Sequence, residues 1–140
     1  MTSSTTKRRG ADAWIMGAAL VVFGVFASTA AQSQEARLEG SWNGGGKIVF
    51  PSGESEQARC RVSIRRQGGR SFGLSAICAT PSARVQQSAE LIHVSGNRYR
   101  GEFVNQEFGI TGSIRLTIDG NRINASLTGG GGSAQLALRR

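Results

Sequence analysis

Histidine is almost absent from this chain of 140 residues: there is one, His93. Hydrolytic chemistry needs a base beside its nucleophile, and this single imidazole falls at an expected strand end beside a turn. The acids Glu54, Glu56, Glu90, Glu102, Glu107 and Asp119 are scattered over expected loops and polar faces, so no two carboxylates are set to share a cleft. Cysteine is nearly as scarce. Cys60 and Cys78 lie about 18 residues apart with no CxxC pair, which excludes zinc-ribbon and thioredoxin-like arrangements. An enzyme is therefore not expected, nor is a metal or any other cofactor. Acidic residues are also in deficit, nine against 17 lysines and arginines, for a net charge of +8.

Long apolar runs are missing except for Ala13 to Ala27, and that run is interrupted by Gly17 and Gly24. At roughly 15 residues it falls short of the ~20 that span a bilayer. Lys7, Arg8 and Arg9 precede it and the small residues Ser28, Thr29, Ala30 and Ala31 follow, the order of a secretory signal. We expect residues 1–31 to be a cleaved signal peptide, with cleavage after Ala30 or Ala31 and no transmembrane segment left behind. Gly10, Ala11 and Asp12 do not continue the Arg8-Arg9 pair as a twin-arginine signal would. No cysteine near the cleavage region invites a lipid anchor. Residues 32–37 form a polar arm and 38–140 a single domain, periplasmic or secreted. Losing the leader removes three basic residues and one acid, leaving a charge near +6.

What is present is a period of two. Ala58, Cys60, Val62 and Ile64 alternate with Arg59, Arg61, Ser63 and Arg65, and Phe72, Leu74, Ala76 and Cys78 continue the same parity beyond Gly69. Alternation of this kind makes half-buried strands. Folding the segment at Gly69 sets Cys60 opposite Cys78, Val62 opposite Ala76 and Ile64 opposite Leu74, a hairpin with a cross-strand disulfide. Six further segments repeat the pattern, with inward sets led by Trp42, Leu91, Phe103, Ile114, Leu127 and Leu136. Gly120-Asn121 and Gly130-Gly131 are two-residue hairpin signals that pair Ile118 with Ile123 and Leu127 with Ala134. The connections are short, so sequence neighbours are neighbours in space.

The expected fold is all-β, an eight-stranded antiparallel up-and-down β-barrel with one cross-strand disulfide. A two-sheet β-sandwich of the same strands is the alternative. Closure is preferred because an open meander leaves an unpaired edge at each end. Glycines 44, 46, 101 and 112 would let strands bend at the barrel corners. Trp42 to Lys47 invites comparison with a phosphate loop, but Ile48 replaces the Ser or Thr that would hold magnesium.

The basic residues are grouped. Arg59, Arg61 and Arg65 share the outward face of the second strand, Arg66 and Arg70 continue into its turn, and Arg98 with Arg100 forms a second group. Arg84, Arg115 and Arg122 lie elsewhere. Guanidinium forks on a stiff sheet suit phosphate or carboxylate, so the first expectation is a binding protein that contacts an anionic envelope component, lipopolysaccharide or acidic polysaccharide. The plainer account of those arginines is a solvated face. Nucleic acid is not expected, because Trp42, Phe72, Tyr99 and Phe103 all take the inward register, where they cannot stack on bases. A further possibility is a small apolar ligand carried inside the barrel, since the inward positions include Ala58, Ala76, Ala89, Gly101, Gly112, Ala125 and Ala134.

As a whole the chain resembles small exported bacterial β-barrel proteins of unknown function. Leu38-Glu39-Gly40-Ser41-Trp42, the Cys60-x-Val62-x-Ile64 strand, Cys78 and Leu136-x-Leu138-Arg139 also resemble the layout of periplasmic metalloprotease inhibitors of the Inh type. That resemblance implies a disulfide-linked barrel whose N-terminal arm, here Gln32 to Arg37, inserts into the cleft of a secreted metalloprotease.

Overall fold

Alternating apolar residues commit this chain to strands, and its short glycine turns leave each strand only its sequence neighbours as partners. A computed structural model describes residues 38–140 and shows the outcome. The expected signal peptide and polar arm lie outside the described residues. The strands are β1 (Gly40–Val49), β2 (Ser55–Gly68), β3 (Ser71–Ala79), β4 (Arg84–Ser95), β5 (Arg98–Asn105), β6 (Ile110–Asp119), β7 (Arg122–Gly129) and β8 (Gly132–Arg139). They follow one another around a closed antiparallel barrel. β8 pairs with β1 from Asn43↔Arg139 to Val49↔Ser133, which removes both edges and excludes the sandwich alternative.

The registers expected from parity are the registers observed. Cys60 faces Cys78 and is joined to it, Val62 faces Ala76, and Ile64 faces Leu74. Ile118 pairs with Ile123, and Leu127 with Ala134. The Gly130-Gly131 turn has φ of 61° and 82°, the left-handed geometry that a two-residue hairpin demands and that glycine supplies without strain. The expected hairpin at Gly69 holds as far as Arg66↔Phe72, after which a bulge shifts the register to Gly68↔Ser71. A bulge is one extra residue in one strand, and alternation on either side does not announce it.

Close approach explains the glycines of β1. A Cβ at Gly44 would collide with the backbone carbonyl of Ala137, and one at Gly46 with that of Gln135. Only glycine lets β1 lie that tightly along β8.

The interior divides into two halves. At one end Leu38, Trp42, Ile64, Phe72, Leu91, Tyr99, Leu116, Ile123 and Leu138 are fully buried. Trp42 Nε1 donates to the Leu38 carbonyl at 2.9 Å, and the Arg140 guanidinium lies 4.4 Å from the Trp42 ring. Phe72 and Tyr99 meet edge to face at 5.6 Å. This end is plugged. At the other end Ile48, Val85, Ile110, Ala134 and Leu136 are only half-buried, although they point inward.

Cys60 and Cys78 are buried among these inward residues, 3% and 4% exposed. A Cys60→Ala/Cys78→Ala chain should lose about 3 kcal/mol, the loop-closure term for a loop of 18 residues. Urea unfolding of the two proteins is the measurement. An unchanged midpoint would show that the closed barrel restrains the chain without the bridge.

Candidate functional site

Four connections form the open end: residues 50–54, 80–83, 106–109 and the 130–131 turn. The small residues Ala83, Gly129, Gly132 and Ala134 lie at this end. The result is a cavity of about 370 Å³, walled by Ile48, Val85, Phe103, Ile110, Leu127 and Leu136. Phe50, Pro51 and Phe108 stand at its rim. Below it, between the core residues of the barrel middle, the residual void is only about 20 Å³. One half of the barrel is therefore filled and the other is open.

The rim is held by its own hydrogen bonds. In the first loop Phe50 N donates to the Glu54 carbonyl at 2.8 Å and Gly53 N to that of Phe50 at 2.9 Å. In the second, Thr80 N donates to the Ala83 carbonyl at 2.8 Å, and the Ser82 hydroxyl donates to the Glu56 carboxylate at 2.8 Å. Hydrogen bonding from the Thr80 side chain, and then from Ser82, holds the Glu56 carboxyl below its ordinary value of 4.5. In the third loop Phe108 N donates to Asn105 Oδ1 at 3.2 Å.

No Asp, Glu, Lys or Arg lines the cavity. Besides the hydroxyls of Thr80, Ser82 and Ser133, its polar lining consists of two carboxamides, Asn105 on β5, 3% exposed, and the half-buried Gln87 on β4. Sequence reasoning passed over both. Each occupies an inward position in a strand whose other inward residues are apolar, and that break in the pattern was the available signal. It also passed over Phe108, which is 54% exposed, whereas Trp42, Phe72, Tyr99 and Phe103 are buried as their inward register requires. Phe108 lies in a loop, where strand parity does not apply.

The expected anion-binding arginines are not gathered into one place. Arg59, Arg61 and Arg65 are exposed on the outer face of β2, as parity requires. Arg66 takes the opposite parity at the plugged end, where its guanidinium lies 5.9 Å from the Phe72 ring and donates to the Gly69 carbonyl at 2.6 Å. Arg70, in the β2–β3 turn, donates to the Val94 carbonyl at 2.7 Å. Instead, the fold brings Arg84 to Arg59: both pair with Ala79, one from each side. Arg59, Arg61 and Arg84 share an open depression floored by Gly45 and Ala79. None of their direct cross-strand partners on β1 and β3 is acidic.

His93 faces Tyr99 across β4 and β5, with ring centroids 4.9 Å apart, and its Nε2 lies 2.7 Å from the Gly96 carbonyl. Among the described residues, no three of His, Cys, Asp and Glu converge as a metal site would require.

The chain matches no protein-family model and no curated protein sequence. Its fold is similar to that of solved barrels. The redesigned β-barrel mFAP1, bound to DFHBI, aligns with TM-score 0.65 at 11% identity over 75% of this chain and 96% of that one. The redesigned barrel mFAP0, also bound to DFHBI, aligns with TM-score 0.65 at 11% identity over 74% and 99%. A de novo designed fluorescence-activating barrel aligns with TM-score 0.58 at 14% identity over 73% and 92%. These likenesses establish the small eight-stranded barrel fold.

Proposed function

We propose that the protein is an exported, non-enzymatic carrier that holds a small apolar molecule in the open half of its barrel. The observation that carries this reading is the half-buried apolar lining of Ile48, Val85, Ile110, Ala134 and Leu136 around an uncharged cavity of about 370 Å³. Inward apolar side chains left partly wet forgo burial worth about 25 cal/mol per Å². A ligand of matching surface recovers it, and the hydrogen-bonded rim means that little ordering is spent on binding. The solved barrels similar in fold that hold DFHBI are consistent with this use of the architecture.

Titration with N-phenyl-1-naphthylamine, an uncharged probe that brightens in apolar surroundings, tests the reading. We expect saturable one-to-one binding with a dissociation constant of order 10 μM. Absent or unsaturable enhancement would overturn it. Stoichiometric inhibition of a secreted metalloprotease by the whole chain, lost on trimming to Leu38, would replace it with the inhibitor that the terminal motifs resemble.

The outer depression favours a second role, contact with an anionic envelope polymer. Three guanidiniums border a floor of small residues, so a phosphate or carboxylate can approach two of them at once. Arg59, Arg61 and Arg84 changed together to Gln should advance elution from heparin at low salt without altering the fold, since exposed charges contribute little to stability. The same three-charge loss at Arg98, Arg100 and Arg122 should advance it much less. Equal effects would mean that net charge, and no particular site, retains the polymer.

A further inference from the structure

Asn105 is the buried polar residue among the described ones, and its surroundings are apolar. A carboxamide in such a wall is costly unless its hydrogen bonds are made. One is made: Oδ1 accepts from Phe108 N at 3.2 Å. Because that partner is a donor, it fixes which end of the amide is oxygen and turns the NH2 group the other way. The Asn105 amide nitrogen has no hydrogen-bond partner among the described residues.

Gln87 stands beside it. The β4–β5 ladder runs to Ser88↔Val104, and the next position in that register sets Gln87 opposite Asn105. Both side chains line the cavity. Of the hydroxyls at the rim, Thr80 is engaged with the Ala83 backbone and Ser82 with Glu56. Thus an apolar cavity presents, at one spot on its wall, two neighbouring carboxamides with N–H groups to donate and no charge of either sign.

We infer that the cavity selects an uncharged apolar ligand bearing a carbonyl-type acceptor, which docks on the Asn105 and Gln87 amides. A carboxylate would leave water for a wall with no cation to meet it, and an ammonium would find no anion. A ligand without an acceptor would cover the Asn105 N–H groups without satisfying them. The inference rests on the carrier reading and adds to it the class of ligand.

The test uses three probes of nearly one shape: the ketone 2-acetylnaphthalene, the hydrocarbon 2-isopropenylnaphthalene and the anion 2-naphthoate. Each is titrated into the whole exported protein and into two variants, followed by naphthalene fluorescence. Asn105→Asp keeps the oxygen that Phe108 N needs and deletes the donor; Gln87→Met keeps length and deletes polarity. At pH 8 the Asn105→Asp change should weaken the ketone about tenfold relative to the hydrocarbon, roughly one hydrogen bond with its desolvation. Gln87→Met should weaken the ketone a few-fold, again relative to the hydrocarbon. In the unaltered protein the ketone should shift the Asn105 side-chain amide resonances, and 2-naphthoate should bind least. If ketone and hydrocarbon both fail to bind, the carrier reading itself falls. If both bind and neither variant changes their ratio, or if 2-naphthoate binds tightest, the carboxamide clasp alone is overturned.

Discussion

A chain carrying Ala134→Trp and Val85→Trp is expected to lose affinity for N-phenyl-1-naphthylamine by about a hundredfold while melting no lower than the parent. Ala134 lies on β8 and Val85 on β4, four strands apart around a closed ring of eight, so their side chains approach from opposite walls of the open half. Two indoles meeting there would deny the probe on the order of 100 Å² of apolar contact, about 2.5 kcal/mol, which is roughly the stated factor. Overpacking usually costs stability because a filled core has nowhere to move. Here there is space, and the added rings cover apolar surface that is now half-exposed. Undiminished binding in this variant would place the probe outside the barrel.

The other large effect is expected at the plugged end. Trp42 is 0% exposed, fills the base of the barrel, donates to the Leu38 carbonyl at 2.9 Å and carries the Arg140 guanidinium on its ring. Trp42→Ala should cost about 3–5 kcal/mol, a large part of the 5–15 kcal/mol that keeps a domain folded. For about a hundred ordered residues that is a fall in melting temperature of roughly 15–30 °C. Trp42→Phe keeps an aromatic ring beside Arg140 and removes the indole N–H, so it should recover most of the loss. Calorimetric melts of the three proteins decide the matter. A fall of only a few degrees for Trp42→Ala would show that Leu38, Phe72 and Tyr99 close over the gap. Because Trp42 lies at the opposite end from the cavity, probe affinity below the melting transition should not change with either substitution.

The two ends of this barrel differ in how far a sequence reaches them. Strand identity, inward and outward faces, the hairpin registers of β2–β3, β6–β7 and β7–β8, and the Cys60–Cys78 bridge are all legible in the chain. Each depends on a period of two and on turn chemistry within a few residues, which are local properties. Closure was legible as well, because an open meander of these strands would leave two unpaired edges. The bulges after Arg66 and His93 were not, since alternation resumes beyond them.

Which end is plugged and which is open could be decided only in three dimensions. The inward list mixes large and small residues along every strand, and a cavity forms only where the small ones of several strands fall at the same height. That height is set by the stagger of all eight strands around the closed barrel, a property of no single segment. The same stagger puts Gln87 beside Asn105, 18 positions away, and Arg84 across Ala79 from Arg59, while it leaves Arg66 and Arg70 tied to turns at the far end. Alternation tells each side chain which face it shares. Only closure of the barrel tells it which neighbours it will have there.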